Sequence, residues 1–151
     1  PPTPDTIMTA VNAIVTGKLP PVGATISDVR SVCDDCKRTK SDKPVVTGYH
    51  RPHEIVIDPE RCLLEQGLTC MGPATRGGCG ALCPSVNMPC RGCYGPVEGS
   101  MDPGCDVLAA MTSILDAGDS ETVAAKTAKL ADPLGTFYRF TLPVSLMRRV
   151  P

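Results

Sequence analysis

The apolar positions of this chain fall into helical periodicity in only a few short windows. Near the N-terminus, Ile7, Val11, Ile14 and Val15 recur at spacings that put them on one face of a helix. Thr3 suits an N-cap, Pro4 a first helical residue and Asp5 a first-turn charge, so a helix is predicted from Pro4 to a stop at Gly17. Lys18 to Gly23 reads as a Pro-rich link. A second helix is predicted from Ser27, through Val29 and Val32, towards Lys40. It would hold Cys33 and Cys36 one turn apart on the same side. Polar, turn-like sequence fills 41–53. Ile55-Val56-Ile57 predicts a short strand, and Asp58-Pro59 predicts a cap and first-turn proline that carry Cys62 on a short helix.

From Gly67 to Gly104 the periodicity fades and Gly, Pro and Cys take over. Helical spacing returns from Asp106 to Ala117, with Leu108, Met111 and Leu115 on a core face and Gly118 as terminator. A weaker helix follows Ser120, and the tail from Gly135 to Pro151 reads as extended around Phe137 and Phe140. No internal repeat is visible. The predicted fold class is mainly α with extensive irregular loops, divided as 1–24 (helix and linker), 25–104 (the cysteine region) and 105–151 (helical segment and tail).

Composition explains why the middle needs outside help. The 151 residues suit one domain, but 3 Tyr, 2 Phe and no Trp leave little aromatic material for a core. Gly and Pro, at 14 and 16, favour irregular chain, whereas nine cysteines offer metal–thiolate bonds that fix such a chain. A net charge of −1 gives no electrostatic case for nucleic acid or an anionic membrane. No apolar run approaches the ~20 residues of a membrane span. Pro1-Pro2-Thr3-Pro4 lacks signal-peptide character and an initiator Met, which reads as a processed chain or a fragment from a reducing, cytoplasmic setting. With 2 His and no nucleophile–base or paired-carboxylate pattern, no catalytic residue is assigned.

The cysteines carry the chemistry. Their odd number and two Cys-x-x-Cys pairs point to metal or redox use rather than a disulfide framework. Eight divide into two sets: Cys33, Cys36, Cys62 and Cys70, then Cys79, Cys83, Cys90 and Cys93, leaving Cys105 over. A 4Fe–4S cluster takes four thiolates, and a Cys-x2-Cys loop supplies two of them. Gly72, Gly77, Gly78, Gly80 and Gly92 would let backbone N–H groups approach cluster sulfur. Zinc held by four cysteines uses similar spacing, so the alternative is a zinc-stabilised interaction module with no redox role. His50 and His53 read as surface residues, Cys105 as a small packed thiol, and Met71, Met88 and Met101 as gap-fillers. Arg76 and Arg91, set among the cysteines, read equally as tuning charges or solvated side chains.

The stretch Cys62-Leu-Leu-Glu-Gln-Gly-Leu-Thr-Cys70-Met-Gly-Pro-Ala-Thr-Arg-Gly-Gly-Cys79-Gly-Ala-Leu-Cys83-Pro resembles the cluster region of nickel–iron hydrogenase small subunits. So does Met88-Pro-Cys90-Arg-Gly-Cys93-Tyr-Gly-Pro96. The resemblance runs from Pro1 to the Gly135–Phe140 tail and is strongest to the cytoplasmic, methyl-viologen-reducing type. It implies a small iron–sulfur domain wrapped around two 4Fe–4S clusters: a distal one on Cys33, Cys36, Cys62 and Cys70, and a medial one on Cys79, Cys83, Cys90 and Cys93. It implies an electron relay between a nickel–iron large subunit and an iron–sulfur or flavin acceptor subunit, such as that of heterodisulfide reductase. The family's last proximal-cluster cysteine lies in a Cys-Pro-Pro motif. This sequence opens just beyond that position, so the resemblance puts the proximal ligands and a flavodoxin-like domain outside it.

Overall fold

A computed structural model describes residues 2–148. Helix α1 (Pro4–Val15) forms as its local signals dictate: Thr3 caps it through its hydroxyl, which accepts from the Thr6 N–H at 3.3 Å. Its apolar side chains stay open, with Ile7, Met8, Val11, Ile14 and Val15 all exposed. Its link to the body includes a 2.9 Å hydrogen bond between the Thr6 and Tyr94 hydroxyls.

Helix α2 is only Val32–Asp35, not the long helix that the spacing predicts. Ser31 starts it, and the Asp34 carboxylate accepts from both the Ser31 N–H and its hydroxyl at 2.8 Å. Cys36 is already extended (φ −77°, ψ 122°), which turns the chain away and sends Arg38 inward. The expected strand at 55–57 is absent as well. Val56 is almost wholly exposed, and among the described residues no neighbouring strand offers it a ladder. Asp58 does not cap a helix; its carboxylate accepts from the Glu60 N–H at 2.8 Å in a turn, and Cys62 lies beyond in an irregular segment.

The cysteine region is organised by short turns and single rungs of backbone pairing. Turns of 3-10 helix span Leu64–Gln66 and Gly72–Ala74, and α3 spans Leu82–Ser85. Isolated bridges pair Ser31 with Arg76, Thr39 with Arg61, Val46 with Leu115, His50 with Leu68 and Thr75 with Pro96. Helix α4 (Pro103–Ser113) starts earlier than expected because Asp102 caps it, accepting from the Gly104 and Cys105 N–H groups at 3.1 Å. It ends at Ile114, ahead of Gly118. α4 and α2 both pack against the Gly72–Ala74 turn. Tyr49, Leu63, Leu68, Met71, Val107, Met111 and Phe137 make the centre of the core. Burial of each of these large side chains contributes about 1.5–3 kcal/mol. The Tyr49 hydroxyl donates to the Met111 carbonyl at 2.6 Å, tying the 41–53 segment to α4.

Helix α5 (Ser120–Thr127) lies where expected, capped by Asp119. The tail differs from its extended reading. α6 (Pro133–Phe137) is capped by Asp132, and 3-10 turns follow at Leu142–Val144 and Leu146–Arg148. The expected tail residues 149–151 lie outside the described residues. Gly104 is required where it stands, because a Cβ there would sit 2.2 Å from the Tyr138 ring. The chain is therefore mainly helix and loop, as predicted. Among the described residues no helix is long and apolar enough to cross a membrane.

Candidate metal centre

The two cysteine sets lie in two separate cavities. Cys33, Cys36, Cys62 and Cys70 line one of about 260 Å³. Cys79, Cys83, Cys90 and Cys93 line another of about 200 Å³, together with Pro2, Thr3 and Pro4 at the start of α1. Val32 and Pro84 line both, so the cavities share a wall. A wider groove of about 490 Å³ runs alongside but takes in only Cys36.

Each thiol reaches its place by a different local device. α2 carries Cys33, and the extended Cys36 turns off its end. The bridge between Thr39 and Arg61 brings in Cys62, whose N–H donates to the Thr39 carbonyl at 2.8 Å. Cys70 precedes the Gly72–Ala74 turn. Cys79 leads into α3 and Cys83 lies on it, while the Cys90–Cys93 loop returns against Cys70. All nine cysteines are free thiols.

The two most buried thiols sit in the same motif, Cys-x-Gly. The Gly72 N–H donates to the Cys70 sulfur, and the Gly92 N–H to the Cys90 sulfur. Gly72 also leaves little room for a side chain: a Cβ there would lie 3.0 Å from Cys33 Sγ and 3.6 Å from Cys70 Sγ, so Cys33 would have to shift by a few tenths of an ångström. Burial pushes the Cys33 thiol up to about 11, against the pull of the Lys40 cation, and the Cys70 thiol up to about 12; it raises Cys90 as well. Thiols in such surroundings keep their protons unless a cation takes the sulfur's charge, which is what metal ligation does.

The donor set suits an iron–sulfur group. Soft sulfur donors line both cavities; among the described residues no three His, Cys, Asp or Glu side chains are grouped to hold a metal ion. A cuboidal cluster, with one thiolate on each iron, is held from around its faces. Backbone N–H groups already aimed at Cys70 and Cys90 sulfur are the hydrogen bonds that such ligands accept.

The remaining sequence readings divide. Cys105 is exposed, not packed in the core: it sits on the outer side of α4, with its sulfur 3.8 Å from the Tyr138 hydroxyl. Met71 is fully buried beside Gly92, but Met88 and Met101 are exposed and fill no gap. Met111 and Leu115 do form a core face. His53 is exposed and His50 half-buried, both outside the two cavities. Arg91 lines the second cavity, whereas Arg76 lies outside both.

Sequence reasoning missed Arg38, the most enclosed cation of the region. Only 8% exposed, it lines the first cavity. Its Nε and Nη2 donate to the Pro84 carbonyl at 3.0 and 2.8 Å. Nη1 donates to the Asp58 and Arg61 carbonyls at 2.7 and 2.9 Å, and Nη2 also to Asn87 Oδ1 at 2.5 Å. Its place two residues past Cys36 was the one available signal.

No protein-family model matches the chain. Curated relatives do. It is 40% identical to the iron-sulfur subunit of the F420-non-reducing hydrogenase of Archaeoglobus profundus, over 99% of this chain and 47% of that protein. It is 42% identical to the vhu G-subunit of the F420-non-reducing hydrogenase of Methanocaldococcus jannaschii, over 99% of this chain and 46% of the relative. The chain thus spans about half the length of these relatives. Against the F420-non-reducing hydrogenase G-subunit of Methanothermus fervidus it is 39% identical, over 76% of this chain and 93% of the other. Sequence identity of this extent, with the cysteine region inside it, means that the chain belongs to the G-subunit family of F420-non-reducing hydrogenases, among the hydrogenase small subunits that its cysteine motifs resemble.

Proposed function

We propose that this chain is the electron-relaying part of a nickel–iron hydrogenase small subunit, with a 4Fe–4S cluster in each cavity. The observation that carries this reading is the sorting of eight cysteines, four and four, into two cavities with a common wall. When bound, each cluster supplies a one-electron carrier. Cys33, Cys36, Cys62 and Cys70 would hold the distal cluster, and Cys79, Cys83, Cys90 and Cys93 the medial one.

The protein's own part is enclosure and hydrogen bonding. Val32, Leu63 and Leu64 wall the first cavity with buried apolar side chains, and Cys70 is buried beside them while Cys33, Cys36 and Cys62 are half-buried. Gly72 and Cys90 aim their N–H groups at Cys70, and Gly92 aims its own at Cys90. Donors to ligand sulfur favour the charged, ligating form and raise the potential of the site. The second cavity meets the chain at the start of α1. That arrangement fits 1–24 as a helix and linker beside an upstream flavodoxin-like domain with the proximal ligands.

Electrons would pass between a hydrogen-activating large subunit and an iron–sulfur or flavin acceptor such as heterodisulfide reductase, in the cytoplasm. The chain supplies no catalytic residue and by itself neither takes up nor evolves hydrogen. The test is native isolation under anaerobic conditions, with mass spectrometry of the neighbours and a visible spectrum. A brown complex with broad absorbance near ~400 nm that bleaches on reduction, containing a nickel–iron subunit, is expected. A colourless, zinc-binding monomer would replace the relay by the zinc-stabilised interaction module.

A further inference from the structure

Arg38 presents a problem in charge balance. Its guanidinium is buried, and its N–H groups go to three backbone carbonyls and an amide oxygen, all neutral. Among the described residues no carboxylate pairs with it. A buried cation without a counter-charge is costly, however well it is hydrogen-bonded. Arg38 lines the first cavity with two other ionisable side chains that are not cysteines. Glu65 is engaged elsewhere, accepting from the Ser41 N–H and hydroxyl at 2.8 and 2.9 Å and lying 3.9 Å from Arg61. Lys40 is exposed and donates to the Cys33 carbonyl.

Arg38 also borders the wider groove with Asp35 and Glu60, but neither carboxylate is within ion-pair distance of it. On the cysteine side, the anion that can balance it is the first cavity's contents. Four thiolates around a 4Fe–4S core give a net anion, and one-electron reduction adds a further negative charge. The guanidinium also grips the chain beside the ligands. It holds the carbonyl just before Cys62 and the carbonyl just after Cys83.

Resting on the relay reading above, we propose that Arg38 is the built-in counter-charge of the cluster held by Cys33, Cys36, Cys62 and Cys70. It is a positioning residue whose charge raises the reduction potential of that cluster and whose planar fork fixes the Cys62 and Cys83 loops. The second cluster is the comparison: Arg38 holds the Pro84 carbonyl beside its Cys83 but does not line its cavity, so the lost charge should reach it less.

The experiment is a mediated redox titration with dithionite, followed by electron paramagnetic resonance, on the anaerobically isolated protein and on Arg38→Met and Arg38→Lys. Arg38→Met should favour the oxidised form of the first cluster about tenfold, a fall of about 59 mV for a one-electron couple. The second should move much less. Arg38→Lys keeps the charge and should restore most of the potential, while the loss of the fork lowers stability. An unchanged midpoint in Arg38→Met, or a fall in Arg38→Lys as large as in Arg38→Met, overturns the proposal and leaves the relay reading intact. If Arg38→Met does not retain the first cluster, Arg38→Lys decides alone: a midpoint near the native one supports the counter-charge, and a full fall refutes it. Absence of any first-cavity cluster in the native protein removes both readings.

Discussion

The backbone N–H of Cys90 donates to Cys70 Sγ at 3.3 Å, so a cysteine of one cavity is hydrogen-bonded directly to a cysteine of the other. The contact is returned by the Met71 N–H, which donates to the Cys90 carbonyl at 2.9 Å. Both cysteines are buried. The wall between the cavities is thus a pair of strapped loops, and a change at Cys70 reaches the second site without touching its thiols.

Cys70→Ala and Cys62→Ala therefore differ. Each removes one thiol from the first cavity and should cost about four irons. Only Cys70→Ala strips the buried Cys90 N–H of its acceptor, at a further cost of about 1–3 kcal/mol. Anaerobic urea unfolding of the two metal-free variants should show Cys70→Ala as the less stable. Equal midpoints would mean that the Cys90–Cys70 bond contributes nothing.

Gly72→Ala places a methyl 3.0 Å from Cys33 Sγ and should disrupt the first cavity while sparing the second. Overpacking of this kind costs about 1–3 kcal/mol. Gly118→Ala is the control, because a Cβ there meets nothing within 4 Å and the backbone is not left-handed. Iron analysis should show loss in the first variant and none in the second.

Asp102 holds the C-terminal tail as well as α4, since its Oδ2 also accepts from the Leu146 N–H at 3.2 Å. Burial alone would raise its carboxyl, but hydrogen bonds from Cys105, Tyr138, Leu146 and Gly104 outweigh that and hold it below the ordinary value. Its stabilisation is then complete above the unfolded pKa, about 3.9, and is lost as pH falls through the lower folded value. Asp102→Ala should cost about 1–2 kcal/mol near neutral pH through the lost cap. Asp102→Asn should keep much of the cap and flatten the acid limb of a stability–pH curve. An unaltered acid limb in Asp102→Asn would show that another carboxylate sets it.

What the sequence made legible was local. Thr3, Pro4 and Asp5 cap, start and charge α1 within one turn, and α1 forms where they indicate. The second helix is far shorter than its spacing suggests, because Val29, Val32 and the Cys33–Cys36 pair mimic a helical face, whereas Cys36 is extended beside a cavity. Ile55-Val56-Ile57 has strand-forming side chains but, among the described residues, no partner strand, and β-propensity needs one. The tail is turned, not extended, because the caps at Asp132 and Asp102 act there through turns and a contact 44 positions away. The division of cysteines into fours was legible from spacing, and the cavities sort them in the same way. Arg38 was not, because its hydrogen bonds reach 20 to 49 positions along the chain.

The sharpest test of the two-cluster reading is the iron, acid-labile sulfide and zinc content of the anaerobically isolated protein, native and Cys105→Ser. Two four-cysteine sites predict about eight irons and eight sulfides per chain from 4Fe–4S clusters, without zinc. The same figures are expected in Cys105→Ser, because that exposed thiol lines neither cavity. Zinc without sulfide, or the loss of about four irons on replacing Cys105, would contradict it.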